Sequence, residues 1–248
     1  MSHFAEARTF FDDDVQAIAP VLDRTTTFIK THRKHLRDRF AMGGGAAMLD
    51  CELLELVLIR AIPDQDVSTI CADLLDHFGD FNGVISAPLH RMLRINGMTE
   101  AAALDLKLIE AAAQRLSRAK ILRRCVLSSW DALIDYCHTV MAHRDTEQFR
   151  VLYLDTKNTL IADEAQAQGT IDHVPVYPRE IVKRALDLNA AALILVHNHP
   201  SGDPSPSQSD INTTKQIADA VRALRITLHD HLIIGKSREV SFRAQGLL

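Results

Sequence analysis

The chain has 248 residues, 47% of them hydrophobic and 24% charged, with a formal net charge of -4. That balance is ordinary for a globular protein with one large or two modest domains, and it argues against wholesale nucleic-acid coating without excluding a local basic patch. No apolar run reaches membrane-spanning length and the first residues lack a hydrophobic signal core, so the expectation is a cytoplasmic protein with no membrane partner. Cys51, Cys71, Cys125 and Cys137 show no Cys-x-x-Cys spacing, which points to reduced, packed thiols and away from a disulfide frame or a cysteine-ligated zinc.

Residues 1–29 read as an acidic, loosely packed leader around Asp12-Asp13-Asp14, with a short helix from Val15 that Pro20 interrupts. Residues 30–120 read as a helical domain. It opens on a basic cluster (Lys30, His32, Arg33, Lys34, His35, Arg37, Arg39), and Gly43-Gly44-Gly45 ends that helix. The cluster is either a solvated helix face or a phosphate-contacting surface, with Arg33 and Lys34 as the candidate contacts. Further helices are expected over Leu49–Ile59, Val67–Phe78 with Gly79 as its stop, Phe81–Ile85 and Ala101–Arg118. The turn Leu93–Glu100 resembles a helix-hairpin-helix element, whose backbone N–H groups hold a DNA phosphate, with Gly97 as the candidate contact. The usual second glycine is replaced by Thr99, so a hairpin that only packs two helices is the other reading. Arg115, Arg118, Lys120, Arg123 and Arg124 form a second basic stretch, suited to nucleic acid or simply to a helix C-terminus.

Residues 126–248 read as an α/β domain. Ser128 or Ser129 caps a helix from Trp130 to about His143 whose buried face is Trp130, Leu133, Ile134, Cys137 and Val140. Phe149–Asp155 is a buried strand, Leu160–Ala162 and Gly169–Ile171 are extended, and Pro178 opens a helix through Leu188. Ala190–Val196 is an apolar strand leading into His197-Asn198-His199 and a loop with three prolines. Side chains alternate along a strand, so His197 and His199 share a face and can converge on one cation. Ser207 is a natural N-cap for a helix with the stripe Ile211, Ile217, Ala218, Val221 and Leu224, which puts Asp210 in the first turn, where the dipole favours the carboxylate. Two histidines and one aspartate leave a fourth tetrahedral position for water, as in catalytic zinc sites. Ser-x-x-Asp is also a capping-box variant, and His-x-His is also an ordinary strand end. Ile226–Leu228, Leu232–Ile234 and Val240–Phe242 read as further strand, with His229 and His231 as packing or as support for the metal ligands.

The combination His-x-His, seven residues, Ser, two residues, Asp resembles the JAMM motif of the MPN-type zinc metalloproteases. In the form His-Asn-His-Pro-Ser-Gly-Asp-Pro, with Asp230-His231-Leu232-Ile233-Ile234-Gly235 downstream, it resembles the bacterial RadC family. The resemblance implies an MPN (JAB-like) mixed-sheet domain holding Zn2+ through His197, His199 and Asp210, and a peptide or isopeptide substrate. It further implies Glu147 as proton acceptor and donor and Ser207 as hydrogen-bond donor to the oxyanion; Glu180 is the second candidate for the carboxylate. A DNA-associated repair or recombination accessory protein with a non-catalytic metal site is the alternative expectation. No motif encodes the oligomeric state.

Overall fold

The computed structural model describes residues 12–63, 65–122, 125–168 and 176–248, with side chains from residue 27 onward except at 167 and 168. The sequence readings at Asp64, Arg123, Arg124 and Gly169–Ile171, and the first eleven residues of the expected leader, lie outside the described residues. Contacts between α-carbons divide the chain into Met1–Phe81 with Met92–Asp105, and Asn82–Arg91 with Leu106–Leu248. The two units interleave, so the alanine-rich helix groups with the C-terminal unit from Leu106 onward and not with the helical one.

In the helical unit, helix α1 runs from Asp12 to Gly43. This corrects the expected break at Pro20. A proline removes one intrahelical hydrogen bond and crowds the preceding turn, but the rest of a 32-residue ladder continues around it. Helix α2 (Asp50–Ala61) and α3 (Ser68–Phe78) follow, burying Leu54, Leu58, Ile70, Cys71 and Leu74. Three residues of the basic cluster on α1, His32, Arg33 and Arg39, are engaged within this unit. His32 lies 2.6 Å from Glu55, and Arg39 pairs with Glu52 and donates to the Ala47 carbonyl at 2.8 Å. Arg33 donates to the carbonyls of Ile62, Pro63 and Gln65 at the end of α2 and just beyond. Lys34 is exposed.

Two short helices, α4 (Phe81–Ser86) and α5 (Leu89–Met92), precede α6 (Glu100–Ile121). The hairpin before α6 turns at Gly97, where φ is +82° and an added Cβ would meet Ile70 Cδ1 at 3.0 Å. Thr99 is not in a left-handed conformation. Its hydroxyl accepts from Ala102 N at 3.2 Å and caps α6, so this position serves as a helix cap.

The C-terminal unit is built on one five-stranded sheet in the order β2-β1-β3-β4-β5. The strands are β1 (Gln148–Leu154), β2 (Leu160–Gln168), β3 (Ala192–Asn198), β4 (Thr227–Ile234) and β5 (Glu239–Ser241). The two segments expected around residues 226–234 are one strand. Only β3 and β4 pair in parallel; they are the adjacent strands joined through a crossover helix, α9 (Gln208–Arg222). Side chains alternate across the sheet. Leu152, Leu154, Ile194, Val196, Leu232 and Ile234 pack under α7 (Trp130–Met141). Phe149, Val151, Tyr153, Leu193 and Leu195 pack under α9 and α8 (Pro178–Asp187). Ser129 occupies the N-cap position of α7 as expected, but its side chain makes no cap bond, and Ser128 bonds back to the Cys125 carbonyl. Leu224, expected on the α9 stripe, is exposed beyond the helix end.

A bulge decides which way the end of β4 faces. Leu193 pairs with Leu228 and Ile194 with Asp230, so His229 is the extra residue, and every side chain after it is shifted to the other face. His231 consequently lies opposite Leu195, on the α9 side. Buried Asp230 then accepts from Ser241 Oγ (2.5 Å), His231 N (2.8 Å) and Arg243 N (2.9 Å), tying β4 to the chain that follows it. Asp230→Ala would orphan buried donors, each costing about 1–3 kcal/mol. The expected loss is about 2–4 kcal/mol of stability, read as a lowered midpoint in urea unfolding.

Candidate metal centre

The C-terminal end of β3, the loop behind it and the first turn of α9 meet at one point. His197 is the penultimate residue of β3 and is 1% exposed, stacked at 6.0 Å between ring centroids on Phe149 of the neighbouring strand. His199 follows the strand, and its backbone N–H donates to Ile234 O at 3.0 Å. The loop folds tightly against the end of β4. A Cβ on Gly235 would sit 2.4 Å from Gly202 O, so only glycine admits that approach. Ser207 caps α9, and Asp210, Thr214, Ile217 and Val221 recur along one face of that helix. The stripe that buries Ile217 and Val221 on the sheet thus presents Asp210 and Thr214 to the histidines.

The three ligand atoms are close to one another. His197 Nε2 and His199 Nε2 are 3.1 Å apart, His197 Nε2 and Asp210 Oδ1 3.4 Å, and His199 Nε2 and Asp210 Oδ2 3.6 Å. They form the one group of three or more histidine, cysteine or acidic residues among the described residues with metal-ligand spacing. Zinc bound at about 2.0–2.1 Å in tetrahedral geometry separates neighbouring donors by about 3.3 Å, so the donor set fits such an ion.

Hydrogen bonds fix which imidazole nitrogens carry protons. Thr214 Oγ1 lies 2.6 Å from Asp210 O and 2.5 Å from His231 Nδ1. The carbonyl can only accept, so the single hydroxyl proton goes there and His231 Nδ1–H donates to the hydroxyl oxygen. Burial holds the His231 pKa well below the ordinary histidine value, which keeps the ring neutral and makes its Nε2 an acceptor. That nitrogen is 2.8 Å from His197 Nδ1, which must donate to it. His197 Nε2 is left with a free lone pair. His199 Nδ1–H likewise donates to Asp203 O at 2.8 Å, leaving its Nε2 as a second lone pair. Two lone pairs at 3.1 Å repel unless a proton or cation lies between them.

The electrostatics keep His197 neutral, whereas at His199 the Asp210 carboxylate favours a positive charge on Nε2, a proton or a cation. Burial pushes the His197 pKa down to about 4, against the charge of Asp210. The hydrogen bond to Asp210 raises that of His199, with a further contribution from the charge of Glu147. Burial works against the Asp210 carboxylate, yet His199, His197 and Ser207 together hold its pKa well below the usual range. Both of its oxygens face histidines, Oδ1 toward His197 and Oδ2 toward His199, and Oδ2 also closes the capping box. Oδ2 accepts from Ser207 N and Oγ, both at 2.7 Å, while Oδ1 faces His197.

Glu147 lies half-buried just ahead of β1. The peptide groups on either side of it are held by buried Asn198, which accepts from Gln148 N at 2.9 Å and donates to Thr146 O at 3.2 Å. Glu180, the second candidate, stands on the exposed first turn of α8 against Arg179 at 3.2 Å. The Ser207 hydroxyl donates to Asp210 and accepts from Asp210 N at 3.2 Å. Thr214 and Asn198 were not among the residues singled out from sequence. Thr214 lies one turn beyond Asp210, a spacing that could have drawn attention to it, whereas nothing local marks Asn198.

A mixed sheet of this order, with paired histidines ending one central strand and an aspartate opening the crossover helix, defines a JAB-type (MPN) domain. Residues 127–247 match the family described as a RadC-like JAB domain. A UPF0758 protein of Ruegeria pomeroyi is 65% identical over 222 residues, covering 90% of this chain and 99% of its own. A UPF0758 protein of Rhodobacter capsulatus is 65% identical over 213 residues, covering 86% and 100%. The chain belongs to the RadC family.

The relay from Thr214 through His231 to His197 has a measurable consequence. Thr214→Val keeps the shape but removes the hydroxyl, and is expected to weaken zinc binding about 10- to 100-fold in chelator competition. Thr214→Ser is expected to retain affinity. Equal affinity in all three proteins would show that the relay does not orient His197.

Proposed function

We propose that this RadC protein is a metal-dependent hydrolase of amide bonds, acting on a peptide or isopeptide substrate. The observation that carries the reading is the mutual approach of His197 Nε2, His199 Nε2 and the Asp210 carboxylate oxygens at 3.1–3.6 Å. His197, His199 and Asp210 would hold zinc (Zn2+). Zinc at such a site supplies Lewis acidity and lowers the pKa of a bound water towards neutrality.

The chain's own residues supply the rest. Amide hydrolysis needs a group that takes a proton from the attacking water and returns one to the leaving nitrogen, and one carboxylate can do both. Glu147 is assigned that role, supported by its charge acting on His199 and by the grip of Asn198 on its flanking peptides. Asp203 O and His231 keep the two Nε2 atoms aimed at the site. Ser207 is assigned as oxyanion donor, which requires its hydroxyl proton to turn away from Asp210. The apolar rings of Phe149 and Phe242 wall the buried pair His197 and His231 away from water. The DNA-associated alternative draws less support from the hairpin unit, since Arg33 is already bonded to three carbonyls.

Purified protein is expected to contain zinc, and the double variant His197→Ala, His199→Ala to have lost it; equal metal in both would remove these histidines from the site. Glu147→Gln is expected to keep the metal and lose at least about 100-fold in cleavage of peptide or isopeptide-linked substrates. Asn198→Ala is expected to retain zinc while lowering kcat, because it frees the segment that carries Glu147. Unchanged turnover in that variant would show that Glu147 needs no such anchoring.

A further inference from the structure

On the sheet face opposite the histidines, four arginines line one cavity of about 260 Å³: Arg115 and Arg118 from α6, Arg144 from the loop after α7, and Arg150 from β1. Arg150 sits beside Val196, whose side chain belongs to the α7 core, so this cavity and the candidate metal centre lie on different sides of the sheet. A water molecule's share of liquid is about 30 Å³, so the space accommodates a phosphate group with room to spare.

The cavity carries excess positive charge. Arg150 is matched: its Nε donates to Asp163 Oδ1 at 2.9 Å and its Nη1 to Gln148 Oε1 at 3.0 Å. Asp163 is 1% exposed at its side chain and also accepts from the Tyr136 hydroxyl, so it sits behind the cavity wall and balances one of the four charges. Among the described residues, no acid approaches Arg115, Arg118 or Arg144 within ion-pair distance. The Nε of Arg144 donates to Val140 O at 2.8 Å. Burial, and then the nearby charge of Arg150, lower the Arg144 pKa from its ordinary value, with the charge of Glu110 offsetting part of the effect from beyond ion-pair distance.

The positions are held by the fold. Ser117 and Thr139 meet at 3.2 Å between their hydroxyl oxygens and fasten α6 to α7, while Arg115 and Arg118 are three residues apart on one helix face. A single carboxylate is satisfied by one guanidinium, as Asp163 is by Arg150. Three further forks around one space suit an anion with more oxygens and more charge, and guanidinium forks match phosphate oxygens bidentately.

We propose that this cavity binds a phosphate group, carried either by a free nucleotide or by a nucleic-acid backbone. The site is independent of the hydrolase reading and needs neither Glu147 nor a metal. Binding of 5′-AMP would be measured on the full-length protein by calorimetry, and of a labelled single-stranded 15-nucleotide DNA by fluorescence anisotropy. At least one probe is expected to bind saturably. Arg118→Ala, an exposed helix substitution that leaves the core intact, and Arg144→Gln are each expected to weaken it about 10-fold or more. Arg222→Ala, at the far end of α9, is expected to leave binding unchanged. Preference for AMP identifies the free phosphate as ligand. Tighter DNA binding that falls steeply with salt and depends on the same arginines identifies the backbone. The proposal is overturned if neither probe binds at millimolar concentration, if Arg118→Ala and Arg144→Gln bind like the parent, or if Arg222→Ala loses as much as they do.

Discussion

Two imidazole nitrogens facing each other with their lone pairs, 3.1 Å apart in a largely buried setting, are the arrangement on which the C-terminal unit turns. Nothing in the pair itself is stabilising. It persists because each ring's other nitrogen is tied down: His199 to a loop carbonyl, His197 to His231, and His231 to a threonine whose own proton is bound to the α9 backbone. Every step in that chain is a donor facing an acceptor, so the direction of each proton is determined by its neighbours. The result is two electron pairs and a carboxylate pointed at one place, a donor set that calls for a cation.

The same economy appears at Asp210. A capping box and a metal ligand are usually weighed as competing roles for a first-turn carboxylate, yet Oδ2 accepts both Ser207 bonds while still facing His199, and Oδ1 faces His197. Capping therefore holds the carboxylate in the position that ligation needs. The helix stripe extends the design, since Thr214 follows Asp210 by one turn and lies on the face that also buries Ile217 and Val221. Packing of the helix and orientation of the histidines are one structural event.

The sheet separates two chemistries. Its α9 face collects imidazoles, aromatic rings and a carboxylate, whereas its α7 face beside β1 collects guanidinium groups. Neighbouring residues of β1 reach both: Phe149 stacks on His197 and Arg150 joins the arginine cavity. Alternation along a strand is enough to keep the two environments apart while placing both within one small domain.

The sequence alone determined the helices of the first unit, the strand that carries His197, the helix that carries Asp210 and the identity of the three candidate ligands. Those features are local: apolar periodicity, glycine stops, and a helix cap at a set spacing from its aspartate. It misplaced the break at Pro20, because the cost of a proline is local but the continuation of a long helix is not. It had no means of seeing Asn198 bridge to residues fifty positions earlier, or the bulge at His229 that turns His231 toward His197. Likewise, four arginines scattered between residues 115 and 150 become one cavity only when α6 lies against α7 and β1. Distances between atoms far apart in the chain, and the proton directions that follow from them, were settled by tertiary packing.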